Sequence, residues 1–143
     1  MIAEIVPVFL DKTALVATLP IGIAKGPLRV LEKIVGLSFA GQDIFVNVVG
    51  GLKLSETGCD LGILAALASS HRGKALQKGT VLIGEAGLSG ELRPVSQTDL
   101  RLAEIERLGF RRVLLSHKTP KPKKNGLDLH FVKDVNEALE ILL

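Results

Sequence analysis

Four carboxylates in this chain stand beside glycines, where acid–base chemistry could be mounted. Glu56 and Asp60 flank Gly58, and Glu85 and Glu91 flank the run Gly84, Gly87 and Gly90. A carboxylate pair can act as general acid and base, but nothing near them supplies a nucleophile with an adjacent base. The expectation is therefore solvated turn carboxylates. His71, His117 and His130 fall on separate elements, without ligand spacing to Cys59, so no metal site is expected. A phosphate loop is also absent: Gly73-Lys74-Ala75 lacks both the upstream glycine and the hydroxyl. The later glycines lead from one strand into another, without the helix dipole that holds phosphate. No cofactor is expected within the chain.

The elements that must position these residues follow from spacing. Residues 2–9 and 13–19 read as strands split by Asp11 and Lys12, with Pro7 marking an edge or irregularity. Pro27 after Gly26 suits a helix start, and Leu28, Leu31, Ile34 and Val35 keep helical spacing up to Gly36. Residues 44–49 form a β-branched strand ended by Gly50 and Gly51. Asp60 is placed to cap a helix through Ile63, Leu64 and Leu67 toward His71, rich in small residues that permit close approach. Residues 80–84 form a buried strand, and residues 91–95 a second after the glycine turn.

Thr98 or Asp99 caps an amphipathic helix built on Leu100, Ala103, Ile105 and Leu108 and closed by Gly109. Residues 113–115 and 129–132 are strands separated by the polar loop 116–126, and Asp134 caps a last helix through Ala138, Ile141 and Leu142. Strands and helices mix without the strict alternation of a doubly wound sheet. The expected fold is a single α/β, sandwich-like domain over residues 1–143.

Bulk composition narrows the function. The chain has 143 residues, 47% of them hydrophobic, enough for a proper core and for a surface hidden against a copy of itself or a neighbour. No apolar stretch reaches membrane-span length and no leader pattern opens the chain. One cysteine suits a reducing cytoplasm. Eighteen Lys+Arg against fifteen Asp+Glu give a net charge of +3, compatible with nucleic acid. Five Phe with no Tyr or Trp leave little to stack on exposed bases. Duplex phosphates are thus the better partner than single strands.

Three runs carry a resemblance. Val30-Leu31-Glu32-Lys33-Ile34-Val35-Gly36-Leu37 is followed by Phe45-Val46-Asn47-Val48-Val49-Gly50-Gly51-Leu52. Then comes Gly84-Glu85-Ala86-Gly87-Leu88-Ser89-Gly90-Glu91-Leu92-Arg93-Pro94-Val95, with Arg101-Leu102-Ala103-Glu104 behind it. The chain resembles the C-terminal Lon protease-like domain of the RadA (Sms) family of bacterial DNA repair proteins. The match is dense over about residues 30–110 and weak before Gly26. The Lon-like N-terminal part of a magnesium-chelatase-type ATPase shares the Gly84–Val95 run, but the Phe45–Gly51 run favours RadA.

The resemblance implies a Lon protease-like fold, with mixed sheets and packed helices of the ribosomal protein S5 domain 2-like kind. It also implies a hexameric ring acting on branched DNA, beside a zinc finger and a RecA-like ATPase core expected outside this chain. Lon proteases use a Ser–Lys dyad. Matching the helix and Pro94 to theirs puts Gly58 at the serine position and Asp99 at the lysine position, so the resemblance implies no enzyme in this domain. A residual peptidase using Ser55 or Cys59, and a pure oligomerisation scaffold without DNA affinity, are the alternatives.

Double-stranded or branched DNA is the expected partner, met through Lys53 after the Gly50-Gly51 strand end and Arg93 in the short strand. In a Lon-like arrangement these lie near the vacated active-site face. Arg101, on the outward face of the following helix, is a weaker candidate. Lys118, Lys121, Lys123 and Lys124 crowd one loop with Pro120 and Pro122, extended enough to reach a phosphate backbone.

Overall fold

Residues 61–69 are buried without interruption in a helix with no solvent-facing side along that stretch. A helix apolar all round must be covered all round. The computed structural model describes residues 21–41 and 56–143, with side chains from Gly26 onward. In chain order it contains α1 (Ile21–Val30), a π turn (Leu31–Val35), a 3-10 turn (Thr57–Cys59) and α2 (Asp60–Arg72). There follow β1 (Thr80–Ile83), β2 (Glu85–Ala86), β3 (Leu92–Arg93), α3 (Thr98–Arg107), β4 (Arg112–Ser116), β5 (Asp128–Val132) and α4 (Val135–Leu142). The expected strands at 2–9, 13–19 and 44–49 lie outside the described residues. No described helix is long and apolar enough to cross a membrane.

The described residues thus form a mixed α/β structure with four α-helices and a parallel sheet. Strands β1, β4 and β5 form that sheet in the order β1-β4-β5, with Val81 opposite Val113 and Leu129 opposite Val113 on the far side. Alternation along β4 sorts side chains to two cores. Leu114 joins Val132, the leucines of α2 and Val135, Ala138 and Leu139 of α4 on one face. Val113 and Leu115 join Val81, Ile83 and the α3 residues Leu102 and Ile105 on the other. The crossover from β1 to β4 runs through α3, while β4 reaches its parallel neighbour β5 through the loop at 117–127. The non-alternating order expected from sequence is therefore observed.

Several local expectations need correction. Pro27 is not the first residue of its helix but lies within α1. The helix then widens into the π turn and stops at Gly36, which takes the left-handed conformation (φ 78°) that glycine accepts without strain. Asp60 is the first residue of α2 and makes no capping bond; Cys59 holds the cap position. At α3 the cap position is Gln97, at φ 55°, and neither Thr98 nor Asp99 caps. The Thr98 hydroxyl donates to Val95 O and the Asp99 carboxylate accepts from Lys123 N.

The buried face of α3 is Leu102 and Ile105, whereas Leu100 and Leu108 are about half exposed and Ala103 is exposed. In α4 Leu139 takes the buried place expected of Ile141. The strand expected at 91–95 shortens to two residues, paired with β2 in a small antiparallel hairpin (Glu85 opposite Arg93, Ala86 opposite Leu92), while Glu91 makes an isolated antiparallel bridge to Asp134.

The Asp134 cap is as expected. Its carboxylate accepts from Glu137 N at 3.0 Å while the Glu137 carboxylate accepts from Lys133 N at 2.6 Å, a reciprocal pair that satisfies two free amides. Replacing Asp134 by alanine should cost about 1 kcal/mol. Leu64→Ala, in fully buried α2, should cost about 2–5 kcal/mol. Urea midpoints of the two variants test both figures and their order.

Candidate functional site

The segment entering α2 and the β2–β3 hairpin meet at one place, joined by the backbone. Leu61 N donates to Gly84 O and Gly84 N donates to Gly58 O, at 3.1 and 3.0 Å. This seam brings Glu56, Asp60, Glu85 and Glu91 together with Arg93 and Arg101. The carboxylates are not solvated turn residues, as their spacing beside glycines suggested; each is engaged.

Glu85 accepts from the Thr57 hydroxyl at 2.5 Å and from Arg93 Nη1 at 3.2 Å. Glu91 accepts from Arg93 Nη2 at 2.6 Å and from the Ser89 hydroxyl. Those two donors hold Glu91 down to about 2. Glu56 takes the Arg101 guanidinium in a bidentate pair, at 2.8 and 2.9 Å, while Arg101 Nε donates to Ser96 O. This fork geometry is the strongest form of such a pair, and it sets Glu56 below the usual carboxylate range.

Arg101 is consequently not on an outward face. Its side chain is 12% exposed and ties the α3 start to the approach to α2. Arg93 is half exposed but shared between two carboxylates. Lys53 and Ser55 lie outside the described residues. Lys118, Lys121, Lys123 and Lys124 are all exposed, and none of the four has a carboxylate partner among the described residues. Their loop is fixed by its backbone: Lys123 N donates to Asp99, and Gly126 N donates to Glu106. Sequence reading had no signal for the Glu56–Arg101 or Asp60–Ala86 contacts, whose partners are far apart along the chain.

At the Lon serine position, a Cβ on Gly58 would lie 3.1 Å from both Val95 Cγ1 and Glu56 Oε1, so the space is already filled. At the lysine position, Asp99 serves the lysine loop. Cys59 donates its thiol hydrogen to Glu56 O, and burial pushes its pKa up to about 11, away from thiolate chemistry. His71 sits in the last turn of α2 and stacks at a tilt against Phe39, with ring centroids 4.8 Å apart. Among the described residues no group of His, Cys, Asp and Glu could hold a metal.

Comparison with known proteins gives the context. The family model described as subunit ChlI of Mg-chelatase matches residues 8–119. DNA repair protein RadA of Escherichia coli (strain K12) is 43% identical over 115 residues, covering 80% of this chain and 25% of the relative. RadA of Haemophilus influenzae is also 43% identical, over 116 residues, with the same coverage. RadA of Bacillus subtilis (strain 168) is 40% identical over 120 residues, covering 81% and 26%. The chain thus spans about a quarter of the length of these curated relatives.

These matches correct one expectation. The reading of the chain as no enzyme is overturned by its match to a family described as a subunit of an enzyme, Mg-chelatase. Glycine and aspartate at positions 58 and 99 bear on one peptidase mechanism and not on enzymatic activity in general.

Asp60 supplies a pH signature for the site. Its carboxylate accepts from Ala86 N at 3.1 Å, yet burial, with Glu85 nearby, pushes its pKa up to about 6. The folded state then binds more protons than the unfolded state between about pH 4 and 6, so this group's contribution to stability falls as pH rises through that window. Asp60→Asn keeps an acceptor for Ala86 N and removes the titration. The difference in urea midpoint between variant and parent chain should grow in the variant's favour from pH 4 to pH 7; a difference constant with pH would contradict the assignment.

Proposed function

Since the chain belongs to the family of subunit ChlI of Mg-chelatase and is a relative of the DNA repair proteins RadA, we propose that it is one Lon protease-like domain serving an ATP-dependent DNA repair and recombination protein. In this reading it is an oligomerisation scaffold, forming a ring with copies of itself in the bacterial cytoplasm, and a module that contacts duplex or branched DNA.

The observation that carries the DNA part is the lysine loop. Four ammonium groups project from a backbone anchored to α3 through Asp99 and Glu106, with no carboxylate to neutralise them among the described residues. An anchored loop loses little further freedom on meeting a phosphate backbone. Arg93 and Arg101 contribute less, because their guanidiniums are already held by Glu85, Glu91 and Glu56. Arg93 remains half exposed and can exchange a carboxylate for a phosphate; Arg101 positions the α3 start. Contacts of this kind add affinity without sequence preference.

Anisotropy titration of a labelled duplex at several salt concentrations tests this reading. Replacing Lys118, Lys121, Lys123 and Lys124 by alanine should weaken binding and reduce the slope of log affinity against log salt by about 3–4, at about 0.9 per lost phosphate contact. Lys53→Ala with Arg93→Ala should also weaken binding, with folding intact. Unchanged affinity and slope in the loop variant, with a native far-UV spectrum, would remove the loop from the interface.

A further inference from the structure

Acidic and basic residues are segregated along this chain. Residues 61–84 hold Arg72, Lys74 and Lys78 and no acidic residue. Residues 107–127 hold Arg107, Arg111, Arg112 and the loop lysines, again with no acidic residue. The fold sets these two acid-free stretches side by side, because β1 and β4 are parallel neighbours with Thr80 opposite Arg112. Lys78 and Arg111 therefore stand just before adjacent strands at the same end of the sheet, its N-terminal rim. Strand β5 starts there too: Asp128 lies opposite Arg112, and Asp128 N donates to Arg111 O at 2.7 Å. The lysine loop thus ends where the rim begins.

Some cations of the rim are already accounted for. Arg72 lies in the last turn of α2, where the negative end of the helix dipole favours a positive charge. Arg107 is paired with Glu104, and Arg112 is half-buried with its Nη1 donating to Gln77. Lys74, Lys78 and Arg111 remain, all exposed and without a carboxylate partner among the described residues. Lys74 is fixed by its main chain: its N–H donates to Ser69 O at 3.1 Å, and its carbonyl accepts from the buried Ser69 hydroxyl. Of the carboxylates close by in the chain, Asp128 is bonded to His130 and Glu106 accepts from Gly126 N.

Like charges gathered without carboxylates repel one another, and a polyanion relieves that repulsion. We propose that Lys74, Lys78 and Arg111 extend the phosphate contact of the lysine loop along the N-terminal rim of the sheet. One duplex backbone is then followed from the loop across the starts of β4 and β1. This extension rests on the loop being a duplex contact, and it adds a second segment of chain to that contact. Two strand spacings separate β5 from β1, about 10 Å, a distance covered by about three phosphates along one DNA strand.

Anisotropy titration of a labelled duplex with the full chain, at several salt concentrations, tests the extension. Lys74→Ala, Lys78→Ala and Arg111→Ala together should weaken binding in a chain with a native far-UV spectrum. The slope of log affinity against log salt should fall by about 2–3, at about 0.9 per lost phosphate contact. Lys74→Arg, Lys78→Arg and Arg111→Lys together keep every charge and should bind as the parent does. A folded alanine variant with the parent's affinity and slope would overturn the extension, as would a charge-keeping variant as weak as the alanine one. The loop variant, titrated beside them, decides the loop reading separately. If it weakens binding while the rim variant does not, the loop contact stands and the extension falls. If neither weakens binding, or the parent binds no duplex, both fall.

Discussion

The architecture depends on covering α2. Nine consecutive buried residues leave that helix no face for water, so α1, α4, β1 and the β2 hairpin must all reach it, and they do. Its small residues, among them Gly62, Ala65, Ala66 and Ala68, allow this crowding, while Leu61, Leu64 and Leu67 supply the apolar area. Each buried leucine contributes roughly 1.5–3 kcal/mol. The second core, between the sheet and α3, is smaller and sits on the opposite side of β4. Sheet position follows from this division, because β4 must be apolar on both faces and therefore occupies the centre.

The charged seam is a consequence of the same packing. Entry into a fully buried helix requires that its first amides and carbonyls find partners, and Gly58, Leu61 and Gly84 exchange theirs across the seam. Once those backbones are locked together, the side chains they carry are brought within reach of one another. Four carboxylates and two guanidiniums there leave the seam more acidic than basic. On the separate loop between β4 and β5, by contrast, four exposed lysines have no carboxylate partner among the described residues. The paired charges of the seam and the unpaired lysines of this loop thus lie on different segments.

What the sequence made legible follows physical range. The strands β1, β4 and β5 were readable because a short β-branched run bounded by polar residues has few alternative conformations, and the Asp134 cap because its partner lies three residues away. The face of α3 was misread. Leu100, Leu102, Ile105 and Leu108 are all apolar, and which of them turn inward depends on where Val113 and Leu115 stand, which no local pattern records. Asp60 had the right type and place for a cap, but the Ala86 amide, 26 residues on, claims its carboxylate. Arg101 looked outward until its partner Glu56, 45 residues earlier, was known. Strand β2 is two residues long, too short to display any period. The Lon-site residues were legible only as positions; what fills them, Val95 against Gly58 and the loop amide on Asp99, is tertiary.

Gly90 closes the β2–β3 turn at φ 85°, and a Cβ placed there would sit 2.8 Å from Ile34 Cγ2. The turn therefore packs its bare main chain against the Ile34 side chain of the π turn that ends α1, two segments more than fifty residues apart. Any residue larger than glycine at position 90 would have to displace Ile34 as well as adopt a left-handed backbone, so a change in the hairpin would be felt at the first helix.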